Sequence, residues 1–409
     1  MLDPEYLRIL ADKAGGVAKD LHDDIVRQII KRIAIRLGRG DKFILTASDK
    51  YRIETLQEAG YLLDDIAKEI ADKTPLEYAE IKRAFEDAGV RAMAYEAEVY
   101  KAAGISTEAL KYSPNLIRIM QRGYEATLGE WTNYCRSTAL QAQKVYMQIC
   151  DEVYTKVVAG QQSYTQAYYD ALKKVSKNDL EVVYPSGHRD TIETATLRAV
   201  RTGVSQTASE VTATRAAEMG VTCFLVSAHI GARPTHAEWQ GKVYWIDWEE
   251  LAKRISIPVM ASYPEASEAE KSKYREFCKA TDIGTVTGLC GANCRHSYGA
   301  FFEGLSSNPY ENMDFSKNAE YYEKTQKQRY MERSIRKTKK RILDLETALK
   351  YGGDPDGKLQ QQLDNAQSKL KKQTSAYYDY CNENKLKPQE SRTRIADSIT
   401  PQTETQKRY

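Results

Sequence analysis

Two stretches decide how this chain folds. They are Val226–Trp248, VSAHIGARPTHAEWQGKVYWIDW, and Gly284–Gly304, GTVTGLCGANCRHSYGAFFEG, with YPEASE at 263–268 between them. They hold His229, His236, Cys290, Cys294 and His296, five polar ligand-type side chains that a compact fold can bring together. Three of the four tryptophans, Trp239, Trp245 and Trp248, lie here. Glycine-rich turns with large aromatic residues suit a small mixed domain. Val221–Ser227, VTCFLVS, reads as its best buried strand, and Val243–Ile246 as a pairing partner. The tryptophans could form an exposed interface, but they are expected to supply the apolar volume that so short a sheet needs.

Working outward, Glu181–Tyr184 and His188–Thr191 flank Pro185-Ser186-Gly187 and read as a hairpin. A helix follows from about Thr191 to Met219, stopped by Gly220. Residues 1 to about 175 read as helices. Ile25, Ile29, Ile33 and Leu37 recur every four residues, a single apolar stripe, and Gly38-Arg39-Gly40 ends that run. Ser48 is placed to cap the next helix. Thr74-Pro75 is expected to open another with proline in its first turn, and Ser113-Pro114 repeats the device. From about Thr138 to Ala159, Val145, Ile149, Val153 and Val157 share a face, with Gly160 as the stop. Beyond Pro309, helices are expected over about 311–349 and 356–384, broken by Gly352-Gly353-Asp354-Pro355. With few large apolar residues, this arm needs a surface to dock on. The fold class is therefore mainly α with a small α+β core. Its organisation is a helical region at 1–175, a Gly/Trp/Cys/His-rich mixed domain at 176–309, and a charged helical arm with a polar tail at 310–409.

The 409 residues suffice for a sizeable core, and 42% hydrophobic with 29% charged residues is the balance of an ordered soluble protein. No window approaches the ~20 apolar residues of a membrane span. The start, MLDPEYLRILADKAGG, lacks the apolar region of a secretory signal. Seven scattered cysteines argue for reduced thiols or a metal site rather than a disulfide framework. A net charge of +3 does not by itself imply nucleic acid. Tyrosine, at 28 against 7 phenylalanines, suits half-exposed packing or protein contacts.

Cys290-x3-Cys294-x-His296 with His236 offers thiolates and imidazoles, the ligand types of one structural zinc, and His229 is a reserve ligand. The spacing is not that of a zinc finger. The same residues can instead be small buried thiols and imidazoles bonded to backbone. A cysteine nucleophile with a histidine base has the right residue types too, but no oxyanion-hole motif or orienting carboxylate accompanies it. Residues 316–350 carry eleven Lys/Arg against five Asp/Glu. There Arg333, Lys337 and Arg341 share a helix face, with Arg336 and Lys340 beside it, and Lys339 completes the basic cluster. That face could touch DNA phosphates without reading bases, or be solvated and paired with acidic neighbours.

Three separated blocks carry a family resemblance. They are Thr194–Thr207, then His236-Ala-Glu-Trp239-Gln240-Gly241-Lys242 with Tyr263-Pro264 and Gly288–Ser297, then Gln328–Lys339. In this order they resemble the tailed-bacteriophage minor capsid protein 2 family, within the Mu-F-like head morphogenesis proteins. The resemblance implies a non-enzymatic virion component at the inner, portal side of the capsid. Such a protein assists head assembly, contacts the phage portal protein and sibling copies, and takes part in DNA organisation or ejection. Comparable positions in that group often hold further Cys and His, which supports a metal site or its relic. Two other readings stand beside it: a virion-carried cysteine- or zinc-dependent hydrolase or effector, and a free DNA-binding accessory protein without sequence preference.

Overall fold

The structure, a computed structural model, describes residues 1–10, 12–37, 48–102, 114–177, 180–184, 187–258, 260, 262–354 and 356–395. Helices α1 (Pro4–Leu10), α2 (Asp12–Leu37), α3 (Ser48–Ala102), α4 (Pro114–Val158) and α5 (Tyr164–Lys177) precede a hairpin of β1 (Glu181–Val183) and β2 (Arg189–Thr191). Then come α6 (Ile192–Glu218), β3 (Cys223–Val226), α7 (Pro234–Ala237), β4 (Val243–Trp245) and α8 (Trp248–Arg254). They are followed by α9 (Glu268–Lys273), β5 (Arg275–Glu276), α10 (Phe277–Thr281) and β6 (Tyr298–Phe301). The long α11 (Asn318–Gly352) and α12 (Lys358–Glu383), with the short α13 (Glu390–Thr393), complete the chain. A mainly α protein with a small α+β core is what the sequence pattern implies, and it is what folds. No helix among the described residues is long and apolar enough to cross a membrane.

Two compact units are built from interleaved stretches. The first comprises Met1–Gly15, Leu76–Asn133 and Thr194–Thr325; the second comprises Gly16–Pro75, Tyr134–Glu193 and Gln326–Tyr409.

In the first unit, a sheet of order β5-β4-β3-β6 forms the centre. β3 pairs antiparallel with both β4 and β6, and β4 runs parallel to β5. All four residues of β3 are buried, so the expected strand at 221–227 and its partner at 243–246 are both present. Phe224 anchors an aromatic cluster, with ring centroids 4.6 Å from Tyr298, 5.1 Å from Phe277 and 5.7 Å from Trp248. Ala213, Ala216 and Ala217 of α6 join the same core, where their small side chains let a helix approach the sheet closely. The Trp248 indole donates to the Val221 carbonyl at 2.9 Å, which satisfies the polar atom of a buried ring. Trp239 and Trp248 are buried and Trp245 is half-buried, so the tryptophans serve mainly as core.

In the second unit, Ile25, Ile29 and Ile33 of α2 are buried on one stripe, and Val145, Ile149 and Val153 of α4 on another. The hairpin at 181–191 forms as expected. α11 and α12 pack through Ile335, Tyr377 and Cys381, joined by Leu386. The arm is docked. Lys19 of α2 donates to the Ser391 carbonyl at 3.1 Å, and Arg394 pairs with Asp20 at 2.8 Å.

Two local expectations change. Proline at 75 does not open a helix but sits inside α3. It removes one backbone donor, yet Leu62 and Ile66 before it, and Ile81 and Phe85 after it, are all buried, so packing overrides the break. Thr74 lends its hydroxyl to the Ile70 carbonyl at 2.7 Å. The helix expected from Thr138 is the second half of α4, which begins at Pro114. Gly160 does follow its end, at φ +65°. The segments Gly38–Gly40 and Pro185-Ser186, and Ser113, lie outside the described residues.

Candidate functional site

Loop 282–297 between α10 and β6 builds the site. Its backbone folds back on itself: the Leu289 amide donates to the Thr281 carbonyl at 2.9 Å, and Ala292 to Val286 at 2.7 Å. Asp282, Cys290 and Asn293 take left-handed backbone at φ 49°, 59° and 57°. For residues with a Cβ this conformation is uncommon, and it persists where surrounding structure enforces it. The glycines make the tight winding possible. A Cβ on Gly288 would enter the Asp282 carbonyl, and one on Gly291 would enter the Thr285 and Val286 carbonyls.

The winding aims three ligand atoms at one point. His236 comes from α7, which proline starts at Pro234. Cys294 comes from the end of the loop, and His296 from just before β6. Their exposures are 2%, 1% and 1%. His236 Nδ1 and His296 Nδ1 lie 3.4 Å apart, and Cys294 Sγ is 3.8 Å from the first and 3.7 Å from the second. The outer nitrogens are engaged elsewhere. His236 Nε2 meets the Thr287 carbonyl at 2.8 Å, and His296 Nε2 meets Gln240 Oε1 at 3.1 Å. Trp239 packs against both rings, with centroids 4.5 and 4.8 Å away.

The other two candidates lie beside this trio. Cys290 is buried with Sγ 3.7 Å from the His296 carbonyl, and the hydroxyls of Ser205 and Ser209 also approach it. It is not within the triangle of ligand atoms. His229 stacks on His296 at 4.5 Å and has Nδ1 near the Ile230 carbonyl and the Arg295 guanidinium.

Burial sets the electrostatics. It pushes His236 down to about 4, and together with the Arg295 charge does the same to His229. It holds His296 well below its ordinary value. The Cys290 thiol is pushed up to about 12 and that of Cys294 is raised, again mainly by burial. At neutral pH the site therefore presents neutral imidazoles and protonated thiols. A reactive cysteine needs the opposite, an exposed thiol of lowered pKa.

The basic residues of α11 separate into two groups. Arg336 pairs with Glu193, Lys340 pairs with Asp23 at 2.9 Å, and Arg341 donates to Gln362 at 2.6 Å. Arg333 and Lys337 are exposed and Lys339 half-exposed, with no ion pair among the described residues.

Gln240 and the Thr287 carbonyl hold the outer nitrogens of the two imidazoles, contacts that residue types alone do not flag. Gln240 is 2% exposed, and burial of an amide inside a His/Cys cluster is the signal that marks it.

Residues 2–382 match the sequence model of a family described as phage minor capsid protein 2. A protein named "Structural protein" from Lactococcus phage LL-H is 25% identical over 213 residues, covering 51% of this chain and 52% of that protein. The chain thus spans about half the length of this relative. No solved structure matches.

Proposed function

The chain belongs to the phage minor capsid protein 2 family, and from that premise we propose that it is a non-enzymatic head component held at the portal, on the inner side of the capsid. There it assists head assembly and helps to organise or release the DNA. The observation that carries the reading is the family match from residue 2 to residue 382, which takes in both compact units. Likeness to a phage structural protein adds to it. Burial of the Cys/His cluster supports a non-enzymatic role, since a substrate has no route to thiols 1–3% exposed. The hydrolase reading needs such access.

The expected result is that purified virions contain the protein in few copies, and that co-expressed portal carries it through sedimentation. Quantitative mass spectrometry of particles and of portal fractions measures both. Abundance in infected cells with absence from particles would instead point to a free accessory protein.

Contact with DNA falls to the part of the arm not already paired: Arg333, Lys337 and Lys339. Phosphate contacts of this kind are indifferent to sequence and weaken with salt. Changing the three together to Gln is expected to lower the slope of log K against log[salt] by about two to three units, about 0.9 per contact. Fluorescence binding over a salt series measures it. An unchanged slope would make the arm a protein-docking element.

A further inference from the structure

We propose that His236 Nδ1, His296 Nδ1 and Cys294 Sγ bind one zinc-class divalent cation, with Cys290 outside the coordination sphere and water in the fourth position. The carrying observation is the juxtaposition of these three atoms in a triangle of zinc dimensions. Tetrahedral zinc, with bonds of about 2.05 Å to nitrogen and about 2.3 Å to sulfur, sets nitrogens roughly 3.4 Å apart and nitrogen to sulfur roughly 3.6 Å. The observed separations are 3.4, 3.7 and 3.8 Å.

Tautomers give an independent argument. The Thr287 carbonyl can only accept, so His236 Nε2 carries the proton and its Nδ1 holds a lone pair. Gln240 Oε1 accepts from the His229 backbone amide at 3.0 Å. Turning the Gln240 side-chain amide round would set its nitrogen against this donor, so the oxygen also faces His296 Nε2, which must donate. Both inner Nδ1 lone pairs then face each other at 3.4 Å in a buried site. Two neutral imidazoles repel in that arrangement, and a cation between them reverses the sign. Outer partners that fix histidine tautomers in this way are a recurrent feature of metal sites. The His296 amide also reaches Cys294 Sγ at 3.4 Å, a donor that favours a thiolate. Two imidazole nitrogens and one thiolate, a soft and buried donor set, select zinc over calcium or magnesium. Such a centre cross-links α7, the loop and the entry to β6.

The test uses full-length protein without a histidine tag, stripped with chelator and titrated with zinc chloride alone. About one equivalent is expected to bind, and the thermal midpoint to rise, because metal binding is linked to folding. Cobalt(II) in its place is expected to give a thiolate-to-cobalt charge-transfer band. Cys294→Ser removes the band and Cys290→Ser keeps it. Gln240→Ala, which alters no ligand, should weaken zinc about ten- to a hundredfold by releasing the His296 tautomer. Stripped wild-type protein that takes up neither zinc nor cobalt and shows no shift in midpoint would overturn the proposal. A band lost in Cys290→Ser but kept in Cys294→Ser would do the same. The wild-type titration needs no variant, so a misfolded variant does not blunt the test.

Discussion

Lys340→Met is expected to destabilise the protein by about 2–4 kcal/mol, the scale of a buried ion pair stripped of one partner. Lys340 reaches from α11 to the Asp23 carboxylate at 2.9 Å and to His22 at 3.1 Å. Asp23 is 3% exposed. Burial alone would raise its carboxyl. The His22 hydrogen bond and the charges of Lys340, His22 and Arg336 outweigh burial and hold it well below the carboxylate range. A depressed folded pKa stabilises above the unfolded value and is lost as pH falls. The penalty of Lys340→Met is therefore full at pH 7 and shrinks below about pH 4, where an unfolded Asp takes up its proton. Urea denaturation followed by helical signal measures it. In the pair Asp23→Asn with Lys340→Met, the buried charge that Lys340 balanced is gone, so the double variant should be more stable than the two single losses summed. Strict additivity would show that the two groups are not coupled.

The same residue shows where sequence reading stops. On a helical wheel Lys340 belongs to a basic face, and a face of like charges reads as a surface for a polyanion. Its partner lies more than three hundred positions earlier. Nothing local distinguishes a lysine bound to a buried aspartate from one in solvent, and the same holds for Arg336 with Glu193. The polar–apolar period does determine the helices and the β3 strand, because those patterns are local. It fails at Pro75, where burial on both sides outweighs a local break. It also misses β6, whose Tyr298–Phe301 run is too short and too small-residued to stand apart from the glycine-rich loop.

At the Cys/His cluster, residue type and order are legible and orientation is not. His236, Cys294 and His296 meet as their chemistry suggests. Cys290 does not join them, because its backbone sits at φ 59° and delivers Sγ towards Ser205, Ser209 and the His296 carbonyl. Donor direction depends on Gln240 and on a main-chain carbonyl, and a main-chain group has no sequence signature at all.

Glu77→Gln is expected to stabilise the protein at pH 8 by on the order of 3–5 kcal/mol. Glu77 is 0% exposed, and neither carboxyl oxygen has a hydrogen-bond partner among the described residues. Burial, with a smaller push from Glu80, raises its pKa to about 9 from an ordinary 4.5. Between those values the folded chain holds a proton that the unfolded chain releases. The unfolded state then binds fewer protons, so stability falls as pH rises through that window. At pH 5, just above the ordinary value, the burden is small, about 1 kcal/mol; at pH 8 it is close to its maximum. Glutamine keeps the shape and has no charge to lose, so its variant should show a flat profile over the same range. Both curves come from thermal or urea midpoints taken at pH 5, 6.5 and 8. The sequence places Glu77 two residues after a proline, a position where an acid normally favours a helix start. Here α3 runs on through Pro75, so that benefit is absent and only the desolvation cost remains. Profiles that stay parallel from pH 5 to 8 would mean that the carboxylate finds water or a cation in solution.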